Sequence, residues 1–280
     1  MSAAYDRTAD LRALDATCSG VRGLAVSGIT HLPRIFRVPD HHHKSPPPQA
    51  LLQESPSSAA TIPVIDLGDS DRAAVVAAVG RAAAERGFFQ VTGHGVPLES
   101  MAAATDATRG FHEANGCEGS DKARLYSREP GKGVMYNCNF DLYQSPVANW
   151  RDTLYLRMAP DPPDAGDLPD SCREALFKYA QQAKNLGNTL FKLLSEALEL
   201  KPSYLTDIEC NQEQIIFCHC YPLSPQPELA IRRSQNSDSG FLTILLQDEI
   251  GGLQIIHEDQ WVDVMPTPSA FIVKFAISYC

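Results

Sequence analysis

The chain has 280 residues, 44% hydrophobic and 21% charged, a globular balance with length enough to bury a core. Its formal net charge of −10 has the wrong sign for a nucleic-acid or anionic-membrane surface, where Lys and Arg predominate. No run approaches the roughly 18 apolar residues of a membrane span, and Met1 to Arg7 lacks the basic-then-apolar order of a secretory signal, so a cytoplasmic protein with reduced thiols is expected.

Leu11, Leu14, Ala16 and Val21 form a weak helical pattern, followed by Ile29-Thr30-His31-Leu32-Pro33. A linker comes next: His41-His42-His43-Lys44-Ser45-Pro46-Pro47-Pro48 and a Ser/Pro-rich stretch to Ala60. The three His beside three Pro read as solvated filler rather than a metal site. Structure resumes with a strand over Ile62 to Leu67. Ser70-Asp71 offers an N-cap to a helix with the stripe Val75, Val76, Val79, Ala82 and Ala83, and Gly87 is its stop. Phe88 to Thr92 reads as a buried strand that turns at Gly93-His94-Gly95-Val96-Pro97.

Ser171-Cys172-Arg173-Glu174 is a capping-box pattern. It opens a long helix with the stripe Leu176, Tyr179, Ala183, Leu186, Leu190, Leu193, Leu194 and Leu198. After Pro202 come short strand-like runs: Ile215 to Cys218, Phe241 to Leu246, Gly252 to Ile256, Trp261 to Val264, and Ala270 to Ile277. Helices early and closely spaced strands late imply an α+β fold, an antiparallel β-sandwich or barrel packed by helices.

Cys218-His219-Cys220 is the one paired spacing among the eight cysteines. On a strand, residues 218 and 220 share a face and His219 takes the other, and no CxxC completes a tetrahedral site, so these are read as core strand residues. His257-Glu258-Asp259 is a literal His-x-Asp, but it falls between two strand runs and reads as a polar connection. His94 sits between glycines in a tight turn and reads as structural. His31 and His112 have no partners at an informative spacing.

Several segments, in the right order along almost the whole chain, resemble the plant 2-oxoglutarate- and Fe(II)-dependent dioxygenases. They are Ile62 to Leu67, Gly87 to Pro97, Trp150-Arg151-Asp152, Tyr221-Pro222-Leu223-Ser224-Pro225-Gln226-Pro227-Glu228-Leu229, Ser237 to Gln254, and Trp261 to Val264. The stretch from Asp15-Ala16-Thr17 through Gly20-Val21-Arg22-Gly23-Leu24 to Gly28-Ile29 is similar to the subgroup of 1-aminocyclopropane-1-carboxylate oxidase homologues, which includes benzoxazinoid-modifying dioxygenases. The resemblance implies a double-stranded β-helix (jelly roll), mainly β with α, preceded by a helical N-terminal region. It implies oxidation of a small specialised metabolite by dioxygen with Fe(II) and 2-oxoglutarate as cofactors. It also implies a division into an extension and linker at 1–60, a non-haem dioxygenase N-terminal region at 61–170, a spine helix and connection at 171–210, and a jelly-roll domain at 211–280.

Residue by residue, Asp238 matches the carboxylate ligand of the family's His-x-Asp, and Asn236 occupies the position of its first His. Tyr221 matches the tyrosine that holds the cosubstrate carboxylate; the usual Asn-x-Tyr reads His219-Cys220-Tyr221. The family's second His ligand and its Arg-x-Ser do not follow Asp238, and after Phe271-Ile272-Val273 the sequence diverges from the family. A truncated or spliced product with an incomplete jelly roll is therefore expected. In it the run Phe271 to Ile277 lacks its strand partners and invites aggregation. An impaired metal site is expected as well, the alternative being an inactive or binding-only protein.

Overall fold

The computed structural model describes residues 5–37, 62–114, 116, 119–230, 240–257 and 260–275. In chain order the helices are α1 (Arg7–Ala16), α2 (Gly20–Val26), α3 (Arg72–Glu85), α4 (Leu98–Glu113), α5 (Asp121–Leu125), α6 (Asp170–Ala197) and α7 (Tyr204–Asp207). The strands are β1 (Val64–Asp66), β2 (Phe88–Thr92), β3 (Val134–Cys138), β4 (Asp152–Ala159), β5 (Gln214–Cys220), β6 (Leu242–Leu245), β7 (Leu253–His257), β8 (Gln260–Val264) and β9 (Phe271–Phe275). Two compact units divide the chain: Met1–Pro48, Asp106–Glu174 and Ile215–Asn236 form the first, and Gln49–Thr105, Ala175–Gln214 and Ser237–Cys280 the second. Among the described residues no helix is long and apolar enough to cross a membrane.

The first unit is built on the sheet β3-β4-β5. β3 and β4 run antiparallel from Val134 opposite Leu156 to Cys138 opposite Asp152. Alternation places Val134, Tyr136 and Cys138 with Leu154 and Leu156 on one face, all buried. Leu11, Leu14, Val21, Leu32 and Phe36 join Cys138 and Trp150 in one core cluster, so the N-terminal helices are part of this unit's core. Trp150 meets Phe36 edge-on at 5.0 Å between ring centroids.

The order β1-β2-β9-β6 makes the main sheet of the second unit. β1 and β2 pair in parallel, while β9 is antiparallel to both its neighbours. α3 lies against β1 and β2. Its N-cap is Asp71, whose carboxylate accepts from the Ala74 N–H, and Val75, Val79, Ala82 and Ala83 are buried. A Cβ on Gly80 would lie 2.9 Å from the Ala197 Cβ, so glycine permits the close approach of α3 to the end of α6. Arg72 closes that contact with a two-pronged bond to Glu196. β7 and β8 form an antiparallel hairpin.

Two expectations are corrected. α6 begins at Asp170, directly after Pro169, so Ser171 and Glu174 both lie inside the helix rather than forming a capping box at its start. The strand over Phe271 to Phe275 does not lack partners: β9 is bonded to β2 on one side and β6 on the other. Phe271, Ile272, Val273 and Phe275 are all buried. One of those partners, β2, comes from the N-terminal half of the chain.

Candidate functional site

Tyr221 follows β5 directly and is half exposed. Its position is set by its neighbours. The buried Trp150 indole Nε1 donates to the Pro222 carbonyl at 2.9 Å, fixing the peptide that follows Pro222, next to Tyr221. Further along, the Gln226 side chain accepts from the Leu32 N–H, and Leu229 and Ala230 pack on the Trp150 cluster. Three of the segments singled out in the sequence therefore hold one another in place.

Upstream of Tyr221, β5 alternates. Thr153 Oγ1 and His219 Nδ1 share a hydrogen bond of 3.0 Å, and the Tyr155 and Phe217 rings meet at 5.5 Å. Phe217 and His219 thus lie on the Thr153–Tyr155 face, and Cys218 points to the covered one, where it is buried. Burial raises the thiols of Cys218 and Cys220 to about 11. Neutral buried thiols are poor metal ligands and nucleophiles, which agrees with reading them as strand residues.

Behind that sheet lies a set of buried polar groups. Asp152 is fully buried, and its two carboxylate oxygens accept from the N–H groups of Val21 and Arg22 at the start of α2, each at 2.8 Å. Gly20 has a φ of +65°, and a Cβ there would lie 2.2 Å from the Asp152 carboxylate, so only glycine allows this approach. Burial nevertheless raises the Asp152 carboxyl to about 6. His112, equally enclosed, is lowered to about 4 by burial, with the cations of Lys122 and Arg22 adding to that. Its Nε2 is 2.9 Å from the Cys218 carbonyl, so the ring braces β5. Lys122 donates to the His112 and Ala114 carbonyls, and burial lowers its pKa. The sequence had singled out neither His112 nor Lys122 as structural. Asp152 had one usable signal, the Trp150-Arg151-Asp152 segment.

Around Asp15, the Tyr126 hydroxyl donates at 2.6 Å, Arg128 Nε at 2.7 Å and the Tyr143 hydroxyl at 3.0 Å. Asp15 and Gly20–Arg22, the residues that narrowed the resemblance, thus tie α1 and α2 to the sheet.

In the second unit, His94 has both ring nitrogens engaged. Nδ1 accepts from the Val96 N–H at 3.1 Å, so the proton sits on Nε2, which donates to the Ser269 carbonyl at 2.8 Å. Gly93 and Gly95 both have positive φ. The loop is structural, as expected, and His94 is not placed to act as a base. β7 ends at His257, which pairs with Gln260 of β8; Glu258 and Asp259 lie outside the described residues. So do Asn236, Asp238 and the three His at 41–43. Among the described residues no three His, Cys, Asp or Glu side chains lie close enough together to hold a metal ion.

Residues 62–175 match the family model described as non-haem dioxygenase in morphine synthesis N-terminal, and residues 212–278 match the 2OG-Fe(II) oxygenase superfamily. The chain is 45% identical over 279 residues to 1-aminocyclopropane-1-carboxylate oxidase homolog 1 of Arabidopsis thaliana, covering 97% of this chain and 73% of that one. Homolog 5 of the same plant is 44% identical over 276 residues, covering 96% of this chain and 67% of the relative. Among solved structures, JOX2 in complex with 2OG, Fe and JA is similar with a TM-score of 0.76 at 30% identity, covering 92% of this chain and 72% of that one. The auxin dioxygenase DAO1 of Arabidopsis thaliana, with 2-oxoglutarate, has a TM-score of 0.64 at 22% identity over 78% of this chain and 80% of its own, a likeness of fold. The fold is accordingly the jelly roll of these oxygenases with its helical N-terminal region.

Proposed function

The chain belongs to the 2-oxoglutarate/Fe(II)-dependent dioxygenase family, among the 1-aminocyclopropane-1-carboxylate oxidase homologues, and on that premise we propose that it takes a small specialised metabolite at a site whose metal centre is impaired. Family members use Fe(II), 2-oxoglutarate and dioxygen. The observation that carries the proposal is Asn236 in the position of the first His ligand, two residues before Asp238. An amide oxygen lacks the basicity of imidazole, and a 2-His-1-carboxylate site that loses an imidazole loses a strong donor. Asp238 matches the carboxylate ligand of the same motif. These donors do not fit a tight Fe(II) site.

In this reading Tyr221 contributes its hydroxyl to the cosubstrate carboxylate, and the Trp150–Pro222 bond holds it there. The division into segments at 1–60, 61–170, 171–210 and 211–280 is part of the same proposal. A second reading, a protein that binds a small molecule without turning it over, is favoured by the same Asn236.

Release of succinate from 2-oxoglutarate with added Fe(II) and air distinguishes the possibilities. The wild-type chain is expected to release little, and Asn236→His to release more by about tenfold or above, the scale on which ligand surroundings act on such sites. Tyr221→Phe in the Asn236→His background should raise the 2-oxoglutarate KM. Rapid, stoichiometric succinate formation by the wild-type chain would sink the proposal.

A further inference from the structure

The open face of the β3-β4-β5 sheet carries a continuous row of rings. Tyr155 meets Phe217 at 5.5 Å, Phe217 meets His219 at 5.8 Å with only 22° between the ring planes, and His219 meets Tyr221 at 6.1 Å. Despite these contacts Phe217 is 53% exposed and Tyr221 42% exposed. A single exposed Phe is ordinary. This one differs because its orientation is set before any ligand arrives: Tyr155 abuts it at 68°, His219 stacks on it at 22°, and Thr153 holds His219 through a hydrogen bond. A ring fixed in this way gives contact area at little further cost in side-chain freedom. Along β5 beyond Phe217 the row continues with two polar groups, the His219 imidazole and the Tyr221 hydroxyl.

We infer that Phe217 is a specificity-determining residue, the platform on which a planar aromatic group of the substrate stacks with its polar substituent directed along β5 toward Tyr221. The inference rests on the reading of this chain as a small-molecule site of the oxygenase family, and it names the substrate class. A flat aromatic ring gains the offset or edge-on geometry that ring quadrupoles favour. A saturated ring of the same size gains only apolar contact.

Calorimetry on the metal-free full chain tests this with two probes of one carbon skeleton, 2-naphthoate and decahydro-2-naphthoate. The wild-type chain is expected to bind 2-naphthoate more tightly by about fivefold, the scale of one aromatic pair. Phe217→Leu should abolish the preference, and Phe217→Tyr should retain it. Because Phe217 is half exposed, these variants are expected to keep the wild-type thermal midpoint. Equal affinity for the two probes, no binding of either, or a preference that persists in Phe217→Leu would overturn the inference. No iron takes part, so an intact metal site would defeat the impaired-centre reading and leave this result standing.

Discussion

His112 and Asp152, buried in the same unit, respond to acid in opposite directions. His112 binds its proton only near pH 4 in the fold, against an ordinary value of 6.5. As pH falls through that window the unfolded chain takes the proton and the folded one does not, so stability is lost at up to about 1.4 kcal/mol per pH unit. Asp152 runs the other way. Its carboxyl protonates near 6 in the fold and at 3.8 ordinarily, so between those values acid favours the folded state. Their effects offset each other between about pH 4 and 6. His112→Gln keeps a side-chain N–H for the Cys218 carbonyl and does not titrate. From pH 6.5 to 4.5 this variant is expected to lose less stability in urea unfolding than the wild type, by about 2 kcal/mol. Parallel curves would show that His112 does not carry the acid response. At Gly20, alanine faces both the positive φ and the Asp152 carboxylate, and a destabilisation of about 3 kcal/mol is expected by thermal unfolding. None of this was legible from hydropathy, because Lys122, His112 and Asp152 are polar residues in apolar surroundings. Their hydrogen-bond partners come from distant parts of the chain.

Among the elements, those with a clean period were legible. α3 shows the 3.6-residue stripe and its Asp71 cap; β2 and β9 show short apolar runs. β3 and β4 were not anticipated, because Asn137, Asp152, Thr153 and Arg157 interrupt their apolar pattern. The interruptions are satisfied by partners outside the strands: Asn137 donates to the Ser127 carbonyl, and Thr153 bonds His219. α4 was missed because its buried positions include small residues, Ser100 and Ala104 beside Met101 and Phe111, which leave a faint stripe. Leu198 was assigned to the α6 stripe, but the helix ends at Ala197 and the side chain is 54% exposed. Tyr221 was found through its neighbours Pro222 to Leu229 rather than through periodicity. The internal place of β9 carries its own expectation. Phe271 is fully buried and touches the rings of His94 and Tyr179, so Phe271→Ala should cost about 3–5 kcal/mol. Amides of β9 should be among the slowest to exchange in the second unit. Fast exchange there would mean that the strand is not held between β2 and β6.

For the molecule as a whole, family and fold were legible because the matching segments are spread over both units, and the structure gives several of them a joint task. Asp15 and Gly20–Arg22 are bound to the β3–β4 region, and Trp150 to Pro222. The scaffold around Tyr221 is therefore built, while in the function proposed above Asn236, two residues before Asp238, stands where the family has a ligand. The most direct test of that contrast is an anaerobic Fe(II) titration of the wild-type chain beside Asn236→His. The wild type is expected to bind at least about tenfold more weakly than the variant. Tight, stoichiometric Fe(II) binding by the wild-type chain, unchanged in Asn236→His, would contradict an impaired metal centre.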